Sequence, residues 1–421
     1  MARTIRTVLG AMLAGTALAG AVLADPLVID ESALANERLT PGLYPAAPVP
    51  DGFAVPPEPG HPPFEIDWSV GLKGSYTTAT TGQSFVTRLT PGVTATHQGV
   101  RTDITLDGTA ELVRDDDGTL GATALDLDLR TTTRLDRDTT LGASAQLGLA
   151  RDLSSTPGLN PLIITPPLEV TGGMGAEIER RFGHFNLGLS GDLKRSIYGP
   201  TTRSDTGVTD NSSQNVWEAD AALRLGFQAT PIIEVFGEAS LGRDWFDTAP
   251  ASGVQTDATS RSLRAGLAGN WSGLLTASAS VGVGQHDFDN AALSDITTQL
   301  YDASVSFAPD PTVNLKASLA TTVAPTGADT NGTARVSHTA TAEIDYTVNA
   351  WLRLRASAEW GRSWIEASTE TEKRHGLGMG ADYKLGPHTA VSADYGYAHR
   401  DNSLSGVLDS HTVSLGVTIR R

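Results

Sequence analysis

Apolar and polar side chains alternate with a period of two through most of this chain. In the segment AWLRLRASAEW (350–360), Leu352 and Leu354 alternate with Arg353 and Arg355. Because successive side chains of a β-strand point to opposite faces, a period of two indicates strands and not helices. Two structures fit such strands. In a soluble sandwich the apolar face covers a core, whereas in an outer-membrane barrel it faces lipid and the polar face lines the lumen.

The connections between the alternating segments favour the barrel. About 18 such segments occur, each near the ten residues or so that a tilted membrane strand needs. Tight turns such as HQGV (97–100) and KLGPH (384–388) alternate with longer polar segments, among them TTATTGQ (77–83), DLSSTPGLNPLIITPP (152–167) and RDNSLSGVLD (400–409). Short turns at one end and long loops at the other are typical of outer-membrane barrels, and a sandwich has no reason for them. We therefore predict an all-β chain folded as a transmembrane, antiparallel, up-and-down β-barrel of about 18 strands.

The residues before the first alternating segment form two different regions. Residues 1–24 have the layout of a cleaved secretory signal peptide, with Arg3 and Arg6 followed by an apolar run and small residues. Residues 25–63 are rich in proline and have no periodicity, which predicts an extended periplasmic segment, too short for the plug domain of an energy-coupled receptor. The predicted organisation is therefore a signal peptide, a Pro-rich periplasmic lead and an outer-membrane β-barrel over 64–421.

Composition excludes several classes of protein. The chain has no cysteine, which excludes disulfide scaffolds, thiolate metal sites and cysteine nucleophiles. Its formal net charge of -17 at pH 7, with no basic patch, argues against a nucleic-acid partner. No run of about 18 apolar residues follows the signal, so we expect no membrane-spanning helix.

The polar face of the predicted strands supplies candidate residues for the lining of the lumen. These candidates are Arg353, Arg355, Glu343, Asp345, Glu359, Arg101, Asp103, Asp107 and Glu111. A turn at TVNA (347–350) predicts Asp345 opposite Arg353 and Glu343 opposite Arg355, and opposite charges across strands stabilise a sheet. Such pairs form either a structural ladder that fixes the register or part of a charged constriction. Carboxylates outnumber cations on this face, which predicts a mild preference for cations.

Large aromatic residues lie near the ends of the predicted strands. Trp271 lies beside a short turn, whereas Trp217, Trp245, Trp360 and Trp364 lie near long loops. Because amphipathic rings prefer the membrane interface, these positions predict two aromatic girdles.

No catalytic, metal or cofactor site is predicted, and we expect no enzyme activity. RDDDGTLG (114–121) resembles the start of a calcium loop but lacks the closing glutamate about 12 residues along. In GQHDFD (284–289), His286 and Asp287 point to opposite faces of a strand, so this motif supplies no dyad. An outer-membrane hydrolase would need such a constellation, and neither GxSxG nor HExxH occurs.

The signal, the lead segment RLTPGLYPAAPVPDGFAVPP and the long series of amphipathic strands resemble the putative beta-barrel porin 2 family of bacterial outer-membrane proteins. The resemblance covers nearly the whole mature chain and implies a porin-like barrel, sometimes associated with surface-polysaccharide export. We therefore expect a passive channel for small hydrophilic solutes in the bacterial outer membrane. The alternative is an outer-membrane component of polysaccharide export or secretion. Expected partners are outer-membrane lipid and lipopolysaccharide, the barrel-assembly machinery, small solutes and a second copy of the chain.

Overall fold

The structure is a computed structural model that describes residues 64–114, 118, 120–153, 159, 162–249, 253–326 and 332–421. The predicted signal peptide and the Pro-rich lead lie outside the described residues. Among the described residues, no helix is long and apolar enough to cross a membrane.

The described chain is built almost entirely from β-strands. In chain order these are β1 Glu65–Ala79, β2 Gly82–Gln98, β3 Thr102–Arg114, β4 Leu120–Arg134, β5 Thr139–Ala150, β6 Ile163–Thr165, β7 Glu169–Phe182, β8 Phe185–Tyr198, β9 Thr201–Arg203, β10 Gly207–Thr209, β11 Val216–Thr230, β12 Ile233–Phe246, β13 Ala258–Trp271, β14 Leu275–Phe288, β15 Ile296–Asp310, β16 Val313–Pro325, β17 Ala334–Thr347, β18 Leu352–Ile365, β19 Thr371–Lys384, β20 Thr389–Asn402 and β21 Gly406–Arg420. A single turn of 3₁₀ helix, Ser212–Gln214, lies between β10 and β11.

The long strands form one closed, antiparallel sheet of 18 strands. Each long strand pairs with the next along the chain. β21 returns to pair with β1, from Ser69 opposite Arg420 to Ala79 opposite Ser410. Closure covers both edges of the sheet, which a medium without water requires. The predicted up-and-down barrel of about 18 strands is therefore confirmed.

The registers keep the two faces of the wall separate from strand to strand. On β1, Ile66, Trp68, Val70 and Leu72 share one face and are well exposed. Their partners on β2 and β21 are also mostly apolar, as where Leu72 lies opposite Leu89 and Val417. The other face carries the polar and charged side chains. In a closed membrane barrel the apolar face meets lipid and the polar face lines the lumen, and the two faces are called outer and inner below.

Two of the predicted long loops are tight turns. The segment TTATTGQ contributes only residues 80–81 to the β1–β2 connection, and RDNSLSGVLD contributes only residues 403–405 to the β20–β21 connection. Polar strand ends replace the expected loops, and the hydroxyl oxygens of Thr77 and Thr412 lie 2.9 Å apart on neighbouring strands. Hydroxyl pairs of this kind stabilise a sheet without apolar alternation, so alternation alone underestimates the strand length.

The two longest connections interact with each other. β6 belongs to the loop between β5 and β7, and it pairs with β9 of the loop between β8 and β11. β9 also pairs with β10, which completes a small three-stranded sheet. Asn211 is buried beside this sheet, where its Nδ2 donates hydrogen bonds of 2.8 Å to the carbonyl of Gly199 and the hydroxyl of Thr201. Backbone pairing and a satisfied buried amide therefore order the described parts of both loops.

The barrel wall has a seam between β15 and β16, where the two strands pair over only part of their lengths. Their ladder begins at Asp302 opposite Ala320, so Ile296–Tyr301 and the last residues of β16 are not paired with each other. The hydroxyl of Thr321 instead accepts a hydrogen bond of 3.1 Å from the amide of Tyr301. Apolar packing closes this part of the wall through the cluster Ala258, Phe288, Ile296, Ala334 and Val336, flanked by Leu293, Val323 and Trp364.

Candidate functional site

The turn between β17 and β18 corrects the predicted register of the charged residues on the inner face. Asp345 lies opposite Arg355, and Glu343 lies opposite Ser357. Arg353 lies opposite Thr347, so the predicted oppositions of Asp345 with Arg353 and of Glu343 with Arg355 are both wrong. The reason is Asn349, whose Oδ1 accepts hydrogen bonds of 2.8 and 2.9 Å from the amides of Trp351 and Leu352. This Asx turn occupies residues 348–351, and both strands shift relative to the TVNA turn.

The two arginines of β18 still form ion pairs, but in different directions. Arg353 reaches diagonally to Asp345, with 2.7 Å between Nη2 and Oδ1. Arg355 turns toward β19 and β20, where it lies 2.9 Å from Asp382 and 2.7 Å from Asp394. The second carboxylate oxygen of Asp394 accepts a hydrogen bond of 2.7 Å from Lys73 on β1. A continuous ion-pair network, defined by Arg355, Asp382, Asp394 and Lys73, thus spans the closure of the barrel.

Glycines make room for these long side chains to lie along the wall. Gly380 is the register neighbour of both Arg355 and Asp394. A Cβ atom on Gly380 would lie 2.4 Å from Asp394 Oδ1 and 3.0 Å from Arg355 Nη2. Glu234 on β12 reaches in the same way across Gly226 of β11, where a Cβ atom would lie 2.5 Å from its Oε1. Charged side chains can therefore reach across an intervening strand, as Arg355 reaches Asp394 across β19 and Glu234 reaches Asn186 across β11.

The other predicted lumen residues lie at separate places. Glu359 forms an ion pair with Arg374, 2.9 Å apart. On β3, Asp103 lies 3.8 Å from Arg134, Asp107 accepts a hydrogen bond of 2.8 Å from Thr94, and Glu111 accepts one of 2.7 Å from Thr123. Arg101 lies in the turn before β3 and is exposed there, so it is at the rim and not in the wall.

A strongly acidic section of the inner face was not singled out from the sequence. It comprises β7, β8, β11 and β12 and is called the acidic wall. Its carboxylates are Glu169, Glu177, Glu179, Asp192, Glu218, Asp220, Glu234, Glu238 and Asp244, and its cations are Arg181, Lys194 and Arg224. Lys194 pairs with Glu218 at 2.7 Å and Arg224 pairs with Glu234 at 2.9 Å. Within the described chain, Glu177, Glu179, Asp192, Asp220 and Glu238 form no ion pair.

The opposite side of the ring has a different charge balance. β19 and β20 lie about half-way round the barrel from β8 and β11, and cations and carboxylates are nearly balanced on β18, β19 and β20. The cations are Arg353, Arg355, Arg374, Lys384 and Arg400, and the carboxylates are Glu359, Glu372, Asp382 and Asp394. Two sides of unequal charge create a field across the lumen, because low-dielectric walls focus electrostatic fields.

The tryptophans expected in the aromatic girdles all lie on the outer face. Trp271 ends β13 at the short-turn end, whereas Trp217, Trp245 and Trp360 lie toward the long-loop end, and each of these four is well exposed. Trp364 differs, because it packs against the apolar cluster at the seam and donates a hydrogen bond of 2.8 Å to Glu366.

The residues considered for catalysis and metal binding are also placed. No group of three or more His, Asp or Glu side chains suited to a metal ion occurs in the described ranges. His286 faces inward and Asp287 outward, and the nearest carboxylate to His286 is that of Asp244, with 3.9 Å between Nε2 and Oδ2. That distance is too long for a hydrogen bond. In the RDDDGTLG segment, residues 115–117 and 119 lie outside the described residues.

Solved structures with a similar fold are distant in sequence. Pseudomonas aeruginosa OccK3 (OpdO) is 13% identical over 85% of this chain and 96% of its own, with a TM-score of 0.41. OccK2 (OpdF) of the same organism is 10% identical over 85% and 98%, with a TM-score of 0.44. A mutant of the P. aeruginosa ferric enterobactin receptor PfeA is 8% identical over 85% and 80%, with a TM-score of 0.45.

Family membership rests on sequence. No curated protein is significantly similar to this chain. The sequence profile of the family described as "Putative beta-barrel porin 2" matches residues 64–421. This match covers the whole closed barrel, from before β1 to the end of β21. The chain belongs to the putative beta-barrel porin 2 family.

Proposed function

We propose that the protein is a passive diffusion channel of the bacterial outer membrane that carries small hydrophilic solutes and prefers cations. The observation that supports it most strongly is the closed 18-strand wall, whose outer face is apolar and whose inner face is charged. Barrels of 16 to 18 strands are wide enough to enclose an aqueous channel. A lining of carboxylates and arginines is favourable only in contact with water.

The acidic wall provides the cation preference. Its unpaired carboxylates attract cations and repel anions within a screening length of about 8 Å at physiological salt. On the opposite side, the cations of β18, β19 and β20 are largely engaged by neighbouring carboxylates. Anions therefore gain less from that side than cations gain from the acidic wall.

Recordings in planar bilayers test the channel and its selectivity together. Refolded protein is expected to give steady ohmic conductance steps and a reversal potential on the cation-selective side in a KCl gradient. The variant Glu179→Gln/Glu238→Gln is expected to move the reversal potential toward zero, because it removes two carboxylates of the acidic wall. The variant Asp287→Asn/Asp401→Asn removes the same charge from the outer face and should leave it unchanged. Silence at all voltages, or anion selectivity of the native protein, would overturn the proposal.

The arginines of β18 need a separate experiment, because they fit either a structural ladder or a constriction. In the variant Arg353→Gln/Arg355→Gln, the loss of two inner-face cations should increase cation preference if ions pass close to them. Unchanged selectivity together with a lower resistance to urea would assign them to the ladder.

A further inference from the structure

At the seam between β15 and β16, two neighbouring strands of the wall run side by side without a ladder. Among the long strands described, only these two both continue past their last shared pair, over residues 296–301 and 321–325. The hydrogen bond from the Tyr301 amide to the Thr321 hydroxyl lies at the base of this unpaired stretch. Beyond it, side-chain packing holds the two strands together.

The apolar cluster at the seam joins the two faces of the wall. Phe288 and Ile296 belong to the inner face, since Phe288 shares the parity of the inward-facing His286 and Ile296 lies opposite that residue. Val336 belongs to the outer face, where it lies opposite Trp364. Phe288, Ile296 and Val336 nevertheless pack in one cluster, with exposed fractions of 8%, 6% and 0%. An apolar path therefore leads from the lumen through the wall to the lipid-facing surface.

Separation of the two strands at the seam should cost little in a membrane. Elsewhere in the wall, strands can part only by breaking successive backbone hydrogen bonds, which is costly where no water replaces them. At the seam the contacts that would be lost are mainly apolar. Hydrocarbon chains can replace these contacts, because acyl chains are as apolar as the side chains. A hydrocarbon chain is therefore the guest that this part of the wall can accept.

Polar groups around the seam favour one kind of head group on such a guest. Backbone groups alternate in direction along a strand, so the amides of Thr297 and Gln299 face β16 as that of Tyr301 does, and they have no ladder partner there. A hydroxyl can both donate to and accept from backbone groups. A carboxylate would be repelled by the acidic wall, whose Asp244 lies opposite Ala258 of the apolar cluster.

We propose that the seam is a lateral passage, through which single-chain amphiphiles with an uncharged, hydroxyl-bearing head move between the lumen and the outer leaflet. The ladder that begins at Asp302 and Ala320 restricts the passage to the long-loop half of the wall. In an outer-membrane barrel the long loops are extracellular, so this half faces the outer leaflet. The inference rests on the proposed location in an outer membrane, but it does not depend on conduction of ions through the lumen.

A disulfide across the seam tests the lateral passage, because the chain has no cysteine of its own. Leu300→Cys/Thr322→Cys places one cysteine on each strand, just beyond their last shared pair. In the matched control, Thr322→Cys/Ser337→Cys, the same residue of β16 is joined instead to its cross-strand partner on β17.

Uptake of radiolabelled 1-dodecanol is measured in cells whose own long-chain uptake channels are deleted. The native protein should accelerate uptake, and oxidised Leu300→Cys/Thr322→Cys should lose this acceleration and regain it on reduction. The oxidised control should take up 1-dodecanol like the native protein. Equal uptake by the two oxidised variants, or no acceleration by the native protein, would overturn the proposal.

Photolabelling keeps the test decisive if the disulfide forms incompletely. A long-chain alcohol with a diazirine at the end of its chain, added to the native protein in lipid nanodiscs, should label Phe288 and Ile296, which are nearly inaccessible while the seam is closed. Leu408 is also buried on the inner face but belongs to β21, remote from the seam, and should stay unlabelled. Absence of label on Ile296, or equal labelling of Leu408, would overturn the proposal.

Two further measurements separate the parts of the proposal. The corresponding carboxylic acid should label Ile296 more weakly than the alcohol, and equal labelling would contradict the assigned head group. Oxidised Leu300→Cys/Thr322→Cys should keep the native single-channel conductance, because the lumen stays open. A protein that is silent in bilayers but labelled at Ile296 would overturn the diffusion channel and leave the lateral passage standing.

Discussion

At the scale of single residues, the inner wall depends on positions that have no side chain. Gly380 lets Arg355 reach Asp394 across β19, and Gly226 lets Glu234 extend along the wall. The sequence places the charged partners at the expected alternate positions. That a glycine leaves space between two of them can be seen only when the register is known. Gly380 and Gly226 therefore help to determine where charged side chains lie on the inner face.

Gly380→Val should displace the Asp394 carboxylate and push the Arg355 side chain into the lumen. The loss of their hydrogen bond should lower the free energy of unfolding by about 1 kcal/mol, and the displaced side chain should reduce single-channel conductance. Gly396→Val is the matched control, because Gly396 also faces inward on the neighbouring strand and its Cβ would have no atom within 4 Å. Equal conductance of the two variants would show that Gly380 is not a required passage.

At the scale of elements, the wall is held together unequally. Most neighbouring strands pair along nearly their full lengths, but β15 and β16 separate beyond Asp302 and Ala320. A backbone group without a partner at membrane depth is costly, so the hydroxyl of Thr321 and the apolar cluster are needed there. The seam is absent from the sequence pattern, because strand periodicity is the same whether or not a neighbour is paired.

Thr321→Val should destabilise the barrel by leaving the amide of Tyr301 without its acceptor. The expected loss is about 1 to 3 kcal/mol, the range for an unsatisfied buried donor. Urea unfolding in lipid vesicles, followed by tryptophan fluorescence, measures it. Thr322→Val is the control, since Thr322 is on the opposite face of the same strand. Equal midpoints for both variants would mean that the Thr321 hydrogen bond does not hold the seam.

The stability of the loop sheet formed by β6, β9 and β10 should depend on pH through Asp205. Two hydrogen bonds of 2.9 Å from Arg203 lower the pKa of Asp205 to about 2. A lowered carboxyl pKa stabilises the folded loop fully above the ordinary value near 3.9, and this contribution is lost as the pH falls toward about 2. Hydrogen exchange of residues 199–209, corrected for intrinsic rates, should therefore show constant protection above pH 5 and a loss between about pH 4 and pH 2.

A variant at Asp205 separates this ion pair from general acid effects. Asp205→Asn should already show the reduced loop protection at neutral pH, whereas Asp401→Asn, an exposed carboxylate on the outer face of β20, should not. Protection in Asp205→Asn that matches the native protein at neutral pH would contradict the role given to the Arg203 ion pair.

At the scale of the whole molecule, the lumen is electrically asymmetric. The acidic wall on β7, β8, β11 and β12 faces a nearly balanced set of charges on β18, β19 and β20. The arrangement could not be found from the sequence alone, because it depends on which strands are opposite each other in the closed ring. Cations are expected to pass closer to the acidic wall than anions do.

Cation selectivity should fall as the salt concentration rises. The Debye length shrinks from about 10 Å at 0.1 M to about 3 Å at 1 M ionic strength, so the charge of the acidic wall then reaches a smaller part of the lumen. Reversal potentials at a constant KCl ratio, measured over this range of concentrations, give the dependence. Glu179→Gln/Glu238→Gln should show a weaker dependence, and a selectivity that is independent of salt would exclude the acidic wall as its source.

The sequence predicts the barrel class well because alternation, turn spacing and closure are physically linked. A period of two assigns most inner and outer residues, including Arg353, Asp345 and Glu359. Strand registers are harder to predict from the sequence, because one Asx turn at Asn349 is enough to change which charged residues lie opposite each other. Loop lengths are also poorly predicted, because polar strand ends such as those of β1 and β21 have no apolar alternation.

Closure by β1 and β21 has a consequence for the order in which the barrel can be made. The amide of Thr80 and the carbonyl of Asp409 are hydrogen-bonded at 2.9 Å although 329 residues separate them. One edge of β1 therefore stays uncovered until β21 has been synthesised, and such an edge is prone to aggregation. A premature stop codon ahead of β21 would leave β1 and β20 each with an unpaired edge. The expected product is therefore a target for periplasmic proteases and not a narrower pore.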